Sequence, residues 1–444
     1  METYDWPWVE RQAAHTAQAW HDSAGISAPT ARTYTADEQS NNEQAYDEAL
    51  TSVEEDLRSV RLSKRKRTDV QHRIVASFAR FSSKALGLDD DATRLLTHDF
   101  LPVGTALARW ARQFDPGLSM DGIVQASRNA WTACGMQPLL GLPITLTPSI
   151  LGYSLLYPYS DNLLDDEEIS AKAKLDFSGR FRRQLLGESL PPDNRREHCV
   201  SALIALVETQ YARAAFPNVY ECLLAIHRAQ EQSVHQVHRR DAFEDAECLR
   251  VSCCKGGCSV LADACLAYGS LTPQQSQFAF EWGVLLQLGD DLQDVQEDMR
   301  RDSMTLFSRA AVAGKRLDGL TIQLMNFSNR VGRLMDELPL GTPAFKELLK
   351  MSWRSLIVAA VADSHEFFSG AFLRKAETLS PFRFEFLRAR KQRVSSRQGL
   401  YSNLFSAFLD APDEFDKRLP SPELWINGAY TQGNKVASVL EYCP

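Results

Sequence analysis

Residues 272–300 read TPQQSQFAFEWGVLLQLGDDLQDVQEDMR, an apolar segment that ends in a run of acids. Thr272, Pro273 and Gln275 occupy the positions of a capping Thr, a first-turn Pro and a reciprocal Gln, so the stretch predicts a helix that begins at Pro273. At 1.5 Å per residue, a helix from Pro273 to Arg300 would be about 42 Å long, enough to cross a large domain. The acids therefore lie at one end of a long helix.

A second acidic run, DNLLDDEE at residues 161–168, follows another apolar segment with helical periodicity. In both runs, carboxylates recur four residues apart and so share one helical face: Asp161 with Asp165, and Asp290 with Asp294 and Asp298. Like charges stacked in this way repel each other and oppose the negative end of the helix dipole. A bound cation would remove both conflicts. Oxygen ligands without paired His or Cys suit Mg²⁺, or alternatively Mn²⁺, rather than Zn²⁺.

The composition is that of an ordinary globular protein. The 444 residues are 44% hydrophobic and 24% charged, which supplies ample material for a core. The formal charge of -8 argues against nucleic-acid binding, because phosphate neutralisation needs a basic surface. Scattered cysteines and the lack of a signal-type N-terminus predict a reduced, cytoplasmic protein. We expect no stable membrane anchor, because the apolar runs are far shorter than the ~20 residues of a membrane span.

Composition also divides the chain into two parts. Residues 1–68 are rich in Ala, Thr, Ser, Asn and Glu and close with a basic run. We expect them to form an N-terminal extension that is partly disordered or a peripheral helix, with a helical stretch at 43–62. From residue 69 to residue 444, nearly every segment has helical periodicity. The sequence therefore predicts an all-α domain over 69–444.

Two acidic helix ends at the same rim of a bundle would define a reaction site. Such a rim can hold several divalent ions and still leave coordination positions open for a diphosphate. An apolar cavity beneath it suits an allylic diphosphate, because metal ions and cationic side chains stabilise the leaving group. A dry, aromatic-lined enclosure would protect the resulting carbocation from water.

The chain offers cations and cavity residues for such a substrate. The candidate diphosphate-binding residues are Lys255, Arg128, Arg301 and Arg309. Lys255 precedes Gly256 and Gly257, and we expect this pair of glycines to loosen the helix and expose backbone groups to the cavity. The candidate cavity residues lie one and two turns below the acids: Tyr153, Tyr157, Trp282, Gly283 and Leu286. Core packing is the alternative interpretation for any one of them.

These motifs resemble those of the class I isoprenoid synthases, over residues 69–408 and most specifically over 125–308. The order Asp-x-x-x-Asp-Asp at 161–166 is more similar to squalene and phytoene synthases than to the Asp-Asp-x-x-Asp of chain-elongating prenyl transferases. The order Asp-Asp-x-x-Asp-x-x-x-Asp at 290–298 replaces the Asn/Ser/Glu triad of ordinary terpene cyclases. This combination is most similar to the atypical fungal humulene-forming sesquiterpene cyclases.

The resemblance implies a class I terpenoid synthase helical bundle around a central apolar cavity. It also implies three Mg²⁺ ions, an isoprenoid diphosphate substrate, specifically farnesyl diphosphate, and 1,11-closure of the carbocation. The residues that it assigns to catalysis are Asp161, Asp165, Asp290 and Asp294. The residues that it assigns to metal binding are these four together with Asp166 and Asp298. A homodimer is left open.

Other functions remain compatible with the sequence. A prenyl transferase, chain-elongating or head-to-head, would join two isoprenoid diphosphates. A helical scaffold would have acidic runs that bind Ca²⁺ or stay solvated. A metal site built from His227, His235 and His238 is disfavoured, because no fourth ligand follows at a suitable spacing.

Overall fold

The computed structural model describes residues 3–25, 32–59, 64–166, 168–234, 244–396 and 419–422. Within these ranges every regular element is helical, which confirms the predicted all-α class. The α-helices are α1 (Trp6–Asp22), α2 (Ala36–Ser59), α3 (Lys64–Leu86), α4 (Asp90–Arg94), α5 (Leu101–Phe114), α6 (Met120–Met136), α7 (Pro148–Asp165), α8 (Ala171–Leu185), α9 (Arg195–Gln210), α10 (Pro217–Val234), α11 (Asp245–Tyr268), α12 (Pro273–Gln293), α13 (Val295–Arg300), α14 (Leu306–Val312), α15 (Asp318–Glu337), α16 (Pro343–Asp363), α17 (Gly370–Glu377) and α18 (Phe384–Ser395). Of the helices in the described ranges, none is both long and apolar enough to cross a membrane.

Helices α11 and α12 form a tightly packed antiparallel pair at the centre of the bundle. Their backbones touch: a Cβ added at Gly283 would stand 2.0 Å from the Gly256 carbonyl oxygen, and one added at Gly257 would stand 2.4 Å from the Phe280 ring. Only glycine allows such an approach. The glycine pair at 256 and 257 therefore does not loosen α11, which is continuous. Packing against α12 stabilises α11 at Gly256 and Gly257, where the low helix propensity of glycine would otherwise weaken it.

Helix α7 also runs antiparallel to α11. The Ser149 hydroxyl, at the start of α7, donates to the Leu266 carbonyl oxygen near the end of α11 at 2.9 Å. Two turns later, the hydroxyls of Tyr157 and Ser259 share a hydrogen bond of 2.7 Å. Because α7 and α12 both oppose α11, their C-terminal ends lie at the same end of the bundle.

The N-terminal residues pack into the main core. Tyr4 and Trp8 are at most 5% exposed. The Tyr4 hydroxyl shares a 2.7 Å hydrogen bond with Ser276 at the start of α12. The next part of the predicted extension is also continuous with the domain, because α3 runs across the predicted boundary between 68 and 69. Residues 3–25 thus pack against α11 and α12, the central pair of helices.

A row of ion pairs ties α2 to the C-terminal helices. The pairs are Glu43 with Arg383, Asp47 with Arg390, and Glu54 with Arg393. Beside them, the ring of Tyr46 packs edge-on against three phenylalanine rings. The second and third helices of the chain are therefore held against its last described helix.

The glycine contact predicts opposite effects for two alanine substitutions in α12. Gly283→Ala would place a methyl group on the Gly256 carbonyl, so we expect the free energy of unfolding to fall by about 1–3 kcal/mol. Gly289→Ala is the control, because nothing lies within 4 Å of its added Cβ. There, the higher helix propensity of Ala should leave stability unchanged or raise it by up to about 1 kcal/mol. Urea denaturation measures both, and equal stability of the two variants would contradict the close contact.

Candidate functional site

The second acidic run spans the junction of α12 and α13. The sequence predicts one helix through Arg300, whereas the structure breaks it at Asp294. The break is slight, since the Asp294 N–H donates to the Asp290 carbonyl oxygen and the Asp298 N–H donates to that of Asp294, each at 2.8 Å. These bonds keep the three carboxylates at helical spacing across the junction.

Lys255 of α11 lies within this acidic cluster. Its positive charge lowers the pKa of Asp290, Asp291 and Asp298, against the larger effect of burial. One turn earlier on α11, the Ser252 hydroxyl donates to the Asp291 carboxylate at 2.8 Å. The structure therefore brings together the predicted cation and the predicted carboxylates from two different helices.

Burial raises the pKa of every aspartate in the run. It is the largest cause of the shift for Asp298, whose pKa rises to about 7, and for Asp290 and Asp291, whose pKa values rise to about 6. The pKa of Asp294 is also raised, and the carboxylates of Asp291 and Asp294 raise that of Asp298 further. Asp290, Asp291 and Asp298 therefore titrate well above the ordinary range of an aspartate, and added positive charge would favour their ionised forms.

These shifts also link stability to pH. The folded-state pKa values lie above the ~3.9 of an unfolded aspartate. The stability that these groups contribute is therefore fully present below about pH 4. It is lost as the pH rises through values of about 6 and 7, where Asp290 and Asp298 ionise.

The Asp290 side chain is 55% exposed, yet desolvation by surrounding protein atoms is the main cause of its raised pKa. Arg128 of α6 lies beside it, with its Nη2 3.8 Å from Asp290 Oδ1. Helix α6 therefore supplies a second cation to the acidic end of α12.

The start of the first acidic run lies beside the same part of α11 as the second run. The contacts between α7 and α11 show this. Tyr157 and Ser259 are in contact, and the two helices are antiparallel. One turn further along α7 is Asp161, and one turn back along α11 is Lys255. The backbone of Asp161 is thus level with Lys255, which also adjoins Asp290.

The side chains of Asp161 and Asp165 lie outside the described part of the chain, as does the whole of Glu167. Asp166 caps α7 and is half-buried, and its carboxylate accepts a hydrogen bond of 2.9 Å from the Glu168 N–H. Among the described side chains, no group of three or more His, Cys, Asp or Glu is arranged to hold a metal ion. The oxygen donors themselves are those that a hard divalent ion prefers.

The candidate cavity residues separate into two groups. Tyr153 and Tyr157 share a hydroxyl contact of 3.2 Å and line a cavity between α7, α8 and α10. That cavity measures about 20 Å³, room for about one water molecule.

The other three candidates lie on α12. Gly283 packs against α11 at the backbone contact. Trp282 lies between Phe278 and Trp353, with ring centroids 5.6 and 5.7 Å away. Leu286 is partly buried against the main core. The structure therefore does not bring Trp282 and Gly283 to the cavity lined by the two tyrosines.

The two remaining arginine candidates are engaged by acids. Arg301 forms an ion pair with Glu297 at 2.7 Å. Arg309 Nε donates to Asp245 at 2.8 Å and so joins α14 to the start of α11. Both arginines follow the second acidic run in the sequence, but in the structure each is paired with an acid outside the carboxylate stripe.

Sequence reasoning did not name the residues that hold Asp291. Ser252 and Gln287 each donate to its carboxylate at 2.8 Å, and Asp291 is only 4% exposed. Gln287 stands four residues before Asp291, a helical spacing that could have indicated it. No local signal marks Ser252, because its contact with Asp291 depends on how α11 packs against α12.

Comparison with protein-family models and with curated proteins finds no match to this sequence. The similarity to the class I isoprenoid synthases therefore stays a prediction that rests on the motifs themselves.

Replacing Lys255 should reveal its effect on the acidic cluster. In Lys255→Met, we expect the pKa of Asp298 to rise above about 7 and those of Asp290 and Asp291 to rise above about 6, because a nearby positive charge is lost. A pH titration of ¹³C-labelled aspartate carboxyls by NMR measures all three. Lys172→Met, on the exposed face of α8, is the control and should change none of them. Unchanged values in Lys255→Met would show that Lys255 lies outside the cluster.

Proposed function

We propose that this chain is a Mg²⁺-dependent class I terpene cyclase. It ionises farnesyl diphosphate and cyclises the carbocation to a sesquiterpene hydrocarbon, with humulene-type 1,11-closure. The observation that carries the proposal is the placement of both acidic runs at one end of the bundle. They end two helices that pack antiparallel to α11, with Lys255 at the same level.

The carboxylates of the two runs would hold the metal: Asp161, Asp165, Asp166, Asp290, Asp294 and Asp298. When bound, Mg²⁺ supplies Lewis-acid stabilisation of the charge that develops on the leaving diphosphate. Lys255 and Arg128 bind the diphosphate oxygens beside it. Arg128 suits this role, because its guanidinium can form two parallel hydrogen bonds to a phosphate and lies only 3.8 Å from Asp290.

The cavity at Tyr153 and Tyr157 cannot take the hydrocarbon chain, because that space fits about one water molecule. The chain enters instead beside Asp290, where α11 and α12 supply the apolar residues below the acids. Apolar walls exclude water from the carbocation.

A prenyl transferase is the second candidate. The order Asp-Asp-x-x-Asp at 290–294 lies between the second motifs of squalene and phytoene synthases and those of the prenyl transferases, and this similarity favours the second candidate. The scaffold hypothesis has less support, because it gives no role to the cations that α6 and α11 bring to the second acidic run.

The direct test is to incubate the purified protein with farnesyl diphosphate and Mg²⁺ and to analyse the products by gas chromatography and mass spectrometry. We expect a cyclic C15 hydrocarbon. Asp161→Asn and Asp290→Asn should each lower kcat by about 10²-fold or more, because each removes a ligand that positions the charge-stabilising group. Asp176→Asn, on the exposed surface of α8, should leave kcat unchanged. A product that forms only after isopentenyl diphosphate is added would favour the prenyl transferase. No turnover of C10, C15 or C20 diphosphates would refute both.

Metal binding has a readout that does not require turnover. Because Asp298 and Asp290 have pKa values of about 7 and 6, Mg²⁺ should displace protons from them. Calorimetric titrations in two buffers with different ionisation enthalpies measure the protons released. We expect more release at about pH 6 than at about pH 8, where the carboxyls are already ionised. Asp298→Asn should reduce it, and buffer-independent heats at both pH values would exclude metal binding by these acids.

A further inference from the structure

The cavity between α7, α8 and α10 contains a buried ring nitrogen without a hydrogen-bond partner. His227 lines this cavity and is only 2% exposed. Its Nδ1 has no hydrogen-bond partner within the protein. Buried polar atoms are rarely left unsatisfied, and the cavity that His227 lines is the candidate position for a partner of Nδ1.

Ser178 determines which nitrogen of His227 carries the proton. Its hydroxyl has a single hydrogen, which it donates to Glu231 Oε1 at 2.5 Å. The same hydroxyl oxygen lies 3.2 Å from His227 Nε2. Since the oxygen has no second hydrogen to give, it accepts this bond, and Nε2 carries the proton.

The remaining nitrogen is therefore an acceptor. Burial lowers the pKa of His227, although the carboxylate of Glu231 opposes the shift, and the ring is neutral at physiological pH. A neutral imidazole with its proton on Nε2 keeps a lone pair on Nδ1. Any ligand in the cavity must donate a hydrogen bond to it.

The size of the cavity restricts that ligand further. It measures about 20 Å³, and a site for one water needs about 10–15 Å³ measured in the same way. A buried water also needs two to four polar partners, and the lining supplies side-chain oxygen or nitrogen atoms from Gln230, Ser160 and Tyr157 as well as from His227. Tyr153 also lines the cavity, with its hydroxyl 3.2 Å from that of Tyr157, and the other lining residues are apolar.

We propose that this cavity binds one water molecule, which donates a hydrogen bond to His227 Nδ1. The water is the inner end of a hydrogen-bonded chain that continues through His227 and Ser178 to Glu231. The Glu231 side chain is 38% exposed, so the chain connects the interior to solvent. This site is separate from the acidic end of the bundle, and the proposal does not depend on the proposed cyclase activity.

The tautomer is tested first, on the unmodified protein. ¹⁵N NMR of histidine-labelled protein separates the protonated from the unprotonated ring nitrogen. We expect His227 to carry its proton on Nε2 at about pH 7.5, where its ring is neutral because burial lowers its pKa from the ordinary value. A proton on Nδ1 would overturn the proposal. In a crystal structure, an ordered water within about 2.7–3.2 Å of Nδ1 is the expected result. A dry cavity would equally overturn it.

Two variants test the role of Ser178. Ser178→Ala removes the hydroxyl that accepts the Nε2 proton and leaves the hydrogen bond between His227 and the Ser178 backbone, so the share of the Nδ1 tautomer should rise in the same spectra. Ser233→Ala, on α10, removes a hydroxyl that donates to the Gln230 carbonyl oxygen and should leave the Nε2 tautomer unchanged. Thermal unfolding checks that both variants fold. If a folded Ser178→Ala protein keeps the pure Nε2 tautomer, the Ser178 hydroxyl does not set it and the inferred chain is wrong.

Discussion

The contact between Gly256 and Gly283 is the constraint on which the acidic end of the bundle depends. With their backbones touching, α11 and α12 cannot slide or rotate past each other without a steric clash. This fixed register places Ser252 against Asp291 and Lys255 among the carboxylates. A side chain at either glycine would separate the helices at the level where their charges must meet. The chemistry of the site thus begins with an apolar packing contact.

The acids at this end are held where they are electrostatically unfavourable. They lie at a helix C-terminus, beside one another, and partly desolvated, and each of these conditions favours the protonated form. Lys255 and Arg128 offset only part of this, since Asp290 and Asp298 keep pKa values of about 6 and 7. Such a cluster weakens the fold as the pH rises. A ligand that supplies positive charge, as the proposed function requires, would relieve this cost.

Local signals predicted much of the fold, and tertiary contacts account for the rest. Capping residues predicted that a helix begins at Pro273, and the structure has the capping box of Thr272 and Gln275 at that start. Helix Trp6–Asp22 was not predicted, because its burial comes from helices more than two hundred residues away. The glycine pair after Lys255 was misread for the same reason: its partner, Gly283, lies on another helix. Lys255 and the aspartates could be named from spacing, but Ser252 could not.

The register of three helices suggests how Lys255 would act in the proposed reaction. Its ammonium now balances the carboxylates of α12, and the backbone of Asp161 on α7 is level with it. A divalent cation shared by the two acidic runs would take over that balancing role. Lys255 would then be free to pair with the incoming diphosphate, without any change in the packing of α11 on α12. Charge neutralisation and substrate binding would thus be coupled through one side chain, because both acidic runs are positioned against the same turn of α11.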